Sequence, residues 1–154
     1  MKIGLISDTH GLLRPEALAN LHDCELILHV GDAGTPEVLT ELAKIAPLKV
    51  VRGNVDRGDW AQSIPMTEVV EVQGKYIYMI HILQELDIDP AAAGMDLVLF
   101  GHSHKPERFE KDGVIYFNPG SAGRRRFSLP ITMAELRIDV DGNMLLNFID
   151  LEQK

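Results

Sequence analysis

The sequence is poor in cysteine, in long apolar runs and in basic residues. Its single cysteine, Cys24, excludes an intrachain disulfide and a zinc site built from several cysteines, and we interpret it as a small core residue. No apolar run approaches the roughly 20 residues that a membrane-spanning helix needs. Fifteen Lys and Arg against 23 Asp and Glu give a net charge of −8. This charge argues against a general binder of nucleic acid or of anionic membranes.

What is present is typical of one globular protein domain. The 154 residues are 45% hydrophobic and 25% charged, so we predict a single domain over residues 1–154. Met1 and Lys2 lead directly into an apolar segment. We therefore expect no signal peptide and a cytoplasmic location.

Nine short apolar segments rich in β-branched residues are predicted strands, and most are bounded by Gly, Pro, Asn or Asp. They are residues 2–7, 25–30, 48–51, 67–72, 76–80, 97–100, 114–117, 132–138 and 144–150. Helical spacing predicts helices over residues 14–22 and 36–45, the second with Thr35 as its cap, and a short third helix over residues 90–93.

The order of these elements predicts the fold class. The first half alternates strand and helix, which favours a parallel sheet with helical crossovers. The second half is mostly strands joined by short turns such as Gln73-Gly74, Asp112-Gly113 and Asp141-Gly142, which are typical of hairpins. We predict an α/β fold in which two mixed β-sheets pack face to face with helices on the outside.

Polar side chains capable of binding metal follow five of the predicted strands. Because ligands bind at the carboxyl ends of strands in open α/β sheets, we expect these residues to converge at one edge. Gly31, Gly53 and Gly101 lie beside three of them, where we expect tight turns to direct the next side chain inward. The seven residues are Asp8, His10, Asp32, Asn54, His81, His102 and His104.

Four histidines, two aspartates and one asparagine are too many ligands for one tetrahedral zinc. They are suited to two adjacent divalent ions that share one carboxylate, and the mixture of imidazole and oxygen favours Mn, Fe, Zn or Ni over Mg or Ca. Two such ions clamp the attacking and leaving oxygens of a phosphoryl displacement, so the pattern predicts hydrolysis. His22, at a helix end, and His29, within a strand, are interpreted as structural residues.

These motifs resemble those of the calcineurin-like metallophosphoesterases. Residues 8–18, 51–54 and 118–121 are similar to the small single-domain bacterial and archaeal phosphodiesterases of that superfamily, and the resemblance covers residues 1–149. It implies two mixed sheets sandwiched between helices. The motifs are Asp8-x-His10, Gly31-Asp32, Gly53-Asn54-x-Asp56, His81 and Gly101-His102-Ser103-His104.

The resemblance also implies a function and a division of the ligands. One metal would be held by Asp8, His10, Asp32 and His104, with Asp32 as the bridge. The other would be completed by Asn54, His81 and His102. A hydroxide bridging two divalent ions, Mn²⁺ for preference, would hydrolyse a small phosphodiester.

Two positions depart from the pattern of these relatives. Val55 stands where monoesterases and protein phosphatases often carry a histidine that protonates the leaving group. Ile82 and Leu83 follow His81 where His-Gly-His is common, which implies a weaker or differently shaped second metal site. With no general acid, we expect a preference for aryl or otherwise activated esters.

The only dense basic run is residues 124–126, which is either a solvated loop or a patch that steers phosphate. Arg124 is therefore a candidate substrate residue, and Arg14 is a second one because it lies close to the first ligands. Asp56 is expected to orient a ligand without binding metal. We interpret Asn118 as a loop-forming residue.

Other functions stay open at this point. One alternative is a phosphomonoesterase or nucleotidase, and another is a non-catalytic protein-binding scaffold like the small retromer subunit, which resembles the same family. A nuclease is disfavoured by the charge of −8. We expect neither a membrane nor nucleic acid as a partner, whereas a homo-oligomer is compatible with the sequence. Trp60 and Met66 are interpreted as packing residues.

Overall fold

The computed structural model describes residues 1–152. Short α-helices lie at α1 (Pro15–Leu21), α2 (Pro36–Ala43) and α3 (Asp59–Gln62), and a 3-10 turn lies at Leu83–Glu85. The strands are β1 (Lys2–Ile6), β2 (Leu26–His29), β3 (Leu48–Val50), β4 (Thr67–Val72), β5 (Lys75–Ile80), β6 (Leu97–Leu99), β7 (Glu107–Lys111), β8 (Val114–Asn118), β9 (Thr132–Ile138) and β10 (Met144–Asp150).

The strands form two five-stranded mixed sheets. The first sheet has the order β10-β9-β1-β2-β3, and β1, β2 and β3 are parallel. The second has the order β4-β5-β6-β8-β7, and β5, β6 and β8 are parallel. Antiparallel hairpins complete both sheets. The prediction of two mixed sheets is confirmed.

The two sheets pack face to face through one buried apolar cluster. Leu5 and Leu28 of the first sheet belong to the same cluster as Ile77, Leu97 and Phe117 of the second. All five side chains have no exposed surface. Burial of this inner layer holds the sheets, and therefore their carboxyl ends, in one arrangement.

The outer faces of the two sheets are covered differently. On the first sheet, Leu21 of α1 and Leu42 of α2 share a buried cluster with Ile27 and with the buried thiol of Cys24. On the second sheet, the cover is the irregular segment 83–95, which packs residues such as Leu86 onto the sheet. The helical outer layer therefore lies over the first sheet, and an irregular layer lies over the second.

The predicted helix over residues 90–93 is wrong. Ala93 N–H donates to the carbonyl of Asp89 (2.9 Å), which makes a single turn, and Gly94 then adopts the left-handed conformation with φ +82°. Helix α2 begins at Pro36 as predicted, but Thr35 makes no side-chain cap hydrogen bond.

Sequence reasoning missed β7 and α3. Strand β7 is an edge strand with largely exposed side chains, so it has no apolar alternation to detect. It forms because the turn at Asp112-Gly113, with both residues at positive φ, pairs it with β8. Helix α3 has only four residues, and its Trp60 packs against the cluster under α1 and α2. That contact agrees with the packing interpretation of Trp60.

Within residues 1–152, every helix is too short or too polar to cross a membrane.

Candidate metal centre

The seven predicted ligands come together where five strands end. Asp8 follows β1, Asp32 follows β2 and Asn54 follows β3, while His81 and His102 follow β5 and β6 of the second sheet. Their donor atoms form two neighbouring groups. One group is Asp8, His10 and His104; the other is Asp32, His81 and His102.

The spacing of the first group is that of ligands around one ion. Nε2 of His10 lies 3.2 Å from Nε2 of His104, and Oδ1 of Asp8 lies 3.5 Å from Nε2 of His104. Metal–nitrogen bonds of roughly 2.1 Å in tetrahedral geometry place neighbouring donors about 3.4 Å apart. Imidazole nitrogens this close are well matched to a shared cation.

The second group has similar spacing and includes Asn54. Oδ1 of Asn54 lies 3.1 Å from Nε2 of His81 and 3.0 Å from Nδ1 of His102. Oδ2 of Asp32 lies 3.1 Å from Nε2 of His81 and 3.6 Å from Nε2 of His10. Asp32 therefore faces both groups.

Each buried carboxylate has one oxygen held by the protein and one directed at imidazoles. Oδ2 of Asp8 accepts hydrogen bonds from Ser7 Oγ (2.7 Å) and from the backbone N–H of His102 (3.2 Å). Its Oδ1 is buried and has no hydrogen-bond partner within the described residues. Oδ1 of Asp32 accepts from the N–H of Val55 (3.0 Å), which leaves Oδ2 for the centre. An unpaired buried carboxylate oxygen is costly, so the donor set fits a cation.

The chain is strained at this edge. Five of the seven residues have left-handed φ angles between 47° and 76°: Asp8, His10, Asp32, His102 and His104. Each such conformation costs roughly 1–3 kcal/mol and persists only where the surroundings enforce it. Strain concentrated on the candidate ligands is characteristic of a functional site.

The sequence matches the calcineurin-like phosphoesterase superfamily domain over residues 1–141. The chain belongs to this superfamily. It is 37% identical over 151 residues to a probable metallophosphoesterase of Methanothermobacter thermautotrophicus, with coverage of 90% of this chain and 87% of that protein. The superfamily uses divalent metals and hydrolyses phosphoesters.

Two solved structures share the fold. One is described as a novel archaeal phosphodiesterase, with a TM-score of 0.78, 24% identity and coverage of 97% of this chain and 100% of that one. The other is Vps29 of Entamoeba histolytica complexed with Zn²⁺, with a TM-score of 0.75, 23% identity and coverage of 99% and 100%.

The glycines beside the ligands have different functions in this phosphoesterase domain. Gly31 has φ +106°, which supports the predicted tight turn. Gly53 and Gly101 also begin tight turns, since their carbonyls accept the N–H groups of Asp56 (3.2 Å) and Ser103 (2.9 Å), but neither has a positive φ. A Cβ on Gly53 would meet the carboxylate of Asp32, and one on Gly101 would meet Ser7 and Oδ2 of Asp8. These two glycines make room for the carboxylates.

We expect Gly101→Ala to lower the free energy of unfolding by about 1–3 kcal/mol and to weaken metal binding, because Asp8 must move. Calorimetric titration and thermal unfolding with and without Mn²⁺ measure both effects. Gly94→Ala is the matched control, since its Cβ meets nothing within 4 Å and only its φ of +82° is unfavourable. Equal metal affinity in the two variants would contradict the steric explanation.

Asp56 and Asn118 hold the ligand loops. The Asp56 carboxylate accepts hydrogen bonds from the N–H groups of Gly53 (2.8 Å), Asp32 (3.0 Å) and Gly34 (2.9 Å), so it orients two loops and lies outside both donor groups. Asn118 Nδ2 donates to the carbonyl of Gly101 (3.2 Å), which agrees with its interpretation as a loop-forming residue.

His29 supports the site from beneath, which agrees with its interpretation as a structural residue. Its side chain is fully buried. Nδ1 accepts the N–H of Gly31 (3.1 Å), and Nε2 lies 3.0 Å from the hydroxyl of Thr9, which itself donates to the carbonyl of Ala33 (3.1 Å). Both contacts require a neutral ring with its proton on Nε2. Burial lowers the pKa of His29 to about 4, which keeps it neutral.

The pKa values of the histidines in the centre are shifted in opposite directions. The Asp8 carboxylate raises the pKa of His10. Burial by itself lowers the pKa of His81, but the contact with Asp32 and the charge of Asp8 outweigh it, so the pKa is raised. Burial lowers the pKa of His104. Burial by itself raises the pKa of Asp32, but His81, the Val55 N–H and His10 together outweigh it, so that pKa lies below its usual value. His81 Nδ1 lies 2.8 Å from the Val30 carbonyl, which leaves Nε2 for the centre.

The two candidate substrate arginines lie in different places. Arg124, with the rest of the 124–126 run, lines an open cleft together with His10, Asp32 and His104. Arg14 does not line that cleft. Its Nε donates to the carbonyl of Gly123 (3.0 Å), so it anchors the loop that carries Arg124.

Proposed function

We propose that this chain is a phosphodiesterase with a binuclear centre of two divalent cations. The observation that carries the proposal is the pair of donor groups with the Asp32 carboxylate facing both. The two cations would supply Lewis-acid activation of a water and of the phosphoryl oxygens.

The distances support a division of the ligands. Asp8, His10 and His104 would hold one cation, and Asn54, His81 and His102 the other, with Asp32 shared. Four histidine nitrogens with carboxylate and amide oxygens fit Mn²⁺, Fe, Zn or Ni, and we propose Mn²⁺ as the ion to test first. Because Nδ1 of His81 lies against the Val30 carbonyl, its Nε2 is the nitrogen that would bind the cation.

Arg124 would bind and orient the phosphate. It lines the cleft above His10 and Asp32, and no hydrogen bond or ion pair within residues 1–152 uses its guanidinium. Arg125 is less available, because it pairs with Glu152 and donates to the carbonyl of Leu129. A guanidinium on the phosphoryl oxygens stabilises the negative charge that develops during hydrolysis.

The position that follows Asn54 in this cleft does not supply a general acid. Val55 is 40% exposed and lines the cleft next to Asn54, and it has no proton to donate. This absence favours diesters and activated esters over alkyl monoesters. A phosphomonoesterase or nucleotidase is the less favoured activity for the same reason.

A scaffold function is the second candidate, because Vps29 shares the fold and has been crystallised with Zn²⁺. Metal binding alone therefore does not separate the two functions. The complete donor set and the arginine cleft support catalysis. Turnover is the deciding measurement.

We expect the metal-stripped protein to hydrolyse bis-p-nitrophenyl phosphate only after Mn²⁺ is added, and to hydrolyse p-nitrophenyl phosphate more slowly. Spectrophotometric release of nitrophenolate measures both. A ratio that favours the monoester would replace the proposed activity with a phosphomonoesterase. Tight metal binding with no turnover for any divalent ion would favour the scaffold.

The rate should depend steeply on the pKa of the leaving group. A series of substituted phenyl diesters should give a strongly negative slope of log kcat/KM against that pKa, since general-acid help is worth about 10²–10⁴-fold where it exists. Val55→His places an imidazole in the cleft and should make the slope shallower. A flat line for the unmodified protein would mean that a proton donor is present.

A further inference from the structure

A second cleft borders the candidate metal centre. It has a volume of about 450 Å³. It shares Asn54 with the cleft lined by residues 124–126, the arginine cleft, whereas His81 lines only the second cleft. None of the three arginines at 124–126 lines it. The candidate metal centre therefore lies between two clefts of different chemistry, and this volume suits a small organic group.

One part of the lining of the second cleft is apolar, and it consists of Met66, Ile80 and Ile82. Ile80 is nearly buried at the end of β5, Ile82 follows His81 in an extended conformation, and Met66 packs its sulfur 3.2 Å from Nε of Arg52. The 3-10 turn that follows is anchored because Leu83 and Leu86 pack on the outer face of the second sheet. This apolar part of the lining can pack against a flat ring.

The rim of the same cleft is acidic. Glu85 and Asp87 line it, and no salt bridge or side-chain hydrogen bond within residues 1–152 uses either carboxylate. These two carboxylates outnumber Arg52, the arginine in the same lining, so they repel a second phosphate. They also accept hydrogen bonds from N–H groups. The chemistry of this cleft is thus complementary to an uncharged or cationic group that carries N–H donors.

We propose that the cleft between Met66, Ile82 and the Glu85–Asp87 rim binds one substituent of the phosphodiester, a planar amino-bearing ring such as the amino edge of a nucleobase. The proposal rests on the proposed function. The ring lies against the aliphatic wall, its amino group donates to Glu85 or Asp87, and any additional anionic group of the substrate lies on the Arg124 side. The substrate is accordingly an asymmetric diester.

The test compares two esters that differ at one edge of the ring. The 5′-(p-nitrophenyl) esters of cytidine and uridine monophosphate have equal charge and nearly equal size, but cytosine presents an amino donor where uracil presents a carbonyl. With the Mn²⁺-loaded protein, kcat/KM should be about tenfold higher for the cytidine ester, the equivalent of one hydrogen bond to a charged acceptor. In Glu85→Gln/Asp87→Asn the ratio should fall towards one.

The matched control is Asp141→Asn. Asp141 is exposed in the β9–β10 turn. This turn follows the end of β9 that pairs with the start of β1, so it lies at the other end of the sheet from Asp8. A second readout uses the metal-free protein: cytidine should shift the methyl NMR signals of Met66 and Ile82 more than uridine does.

The outcomes separate the two proposals. Hydrolysis of bis-p-nitrophenyl phosphate with a cytidine-to-uridine ratio near one overturns the assignment of the cleft and leaves the phosphodiesterase intact. A preference that the double variant keeps also overturns it. No hydrolysis of any diester contradicts the proposed function itself.

Discussion

Asp32→Asn is expected to lower Mn²⁺-dependent hydrolysis of bis-p-nitrophenyl phosphate about a thousandfold, since a shared carboxylate contributes several kcal/mol to holding and balancing two cations. Asparagine is nearly the same size and retains an oxygen for the Val55 N–H, so the substitution removes charge more than shape. Steady-state rates at saturating Mn²⁺ measure the loss. Asp141→Asn is the matched control.

The same variant carries an internal test of folding. Because the pKa of Asp32 lies below its usual value, its carboxylate stabilises the metal-free fold at neutral pH, so the variant should have a somewhat lower Tm without metal. The increase in Tm produced by Mn²⁺ should shrink, because that increase reports binding to the folded state. An unchanged rate and an unchanged Mn²⁺-induced shift would exclude Asp32 as a ligand.

His29→Gln is expected to reduce the loss of unfolding free energy that the metal-free protein undergoes as the pH falls from 7 to 4. In the folded protein the pKa of His29 is about 4, below its ordinary value of 6.5. Between these values the unfolded chain takes up a proton that the folded chain refuses, so stability present above pH 6.5 is lost as pH falls to 4. The pKa difference corresponds to about 3 kcal/mol.

The measurement is urea unfolding in chelator at several pH values. The stability of the variant at neutral pH is irrelevant, because only the pH dependence of the difference from the unmodified protein reports His29. That difference should change by about 3 kcal/mol between pH 7 and pH 4. Parallel curves for the two proteins would mean that His29 is protonated in the folded state or is not buried as described.

Local sequence features predicted much of the fold. All nine predicted strands are present, because short β-branched segments ending in turn residues are a local signal. The helices at Pro15 and Pro36 were predicted within two residues at each end. Membership of the calcineurin-like superfamily was recognised from motifs such as Asp8-x-His10, and the superfamily match confirms it.

The errors arose where long-range contacts override local pattern. Strand β7 exists because a hairpin pairs it with β8, and residues 83–95 stay irregular although they cover a sheet. Arg14 lies near the candidate ligands in sequence, yet its guanidinium anchors the loop at Gly123. The assignment of the seven residues as metal ligands stays a prediction.

By itself the sequence determined which chemical groups are available and at which strand ends they lie, because strand periodicity and the residue after each strand are encoded locally. Only the tertiary structure decided how these groups are used. Packing of the two sheets brings Asp32 within reach of both donor groups, requires Gly53 and Gly101 for space, and buries His29 beneath them. It also places two clefts beside the candidate metal centre, one partly apolar with an acidic rim and the other basic. These features depend on distances between residues far apart in the chain, which are set by the burial of the shared core.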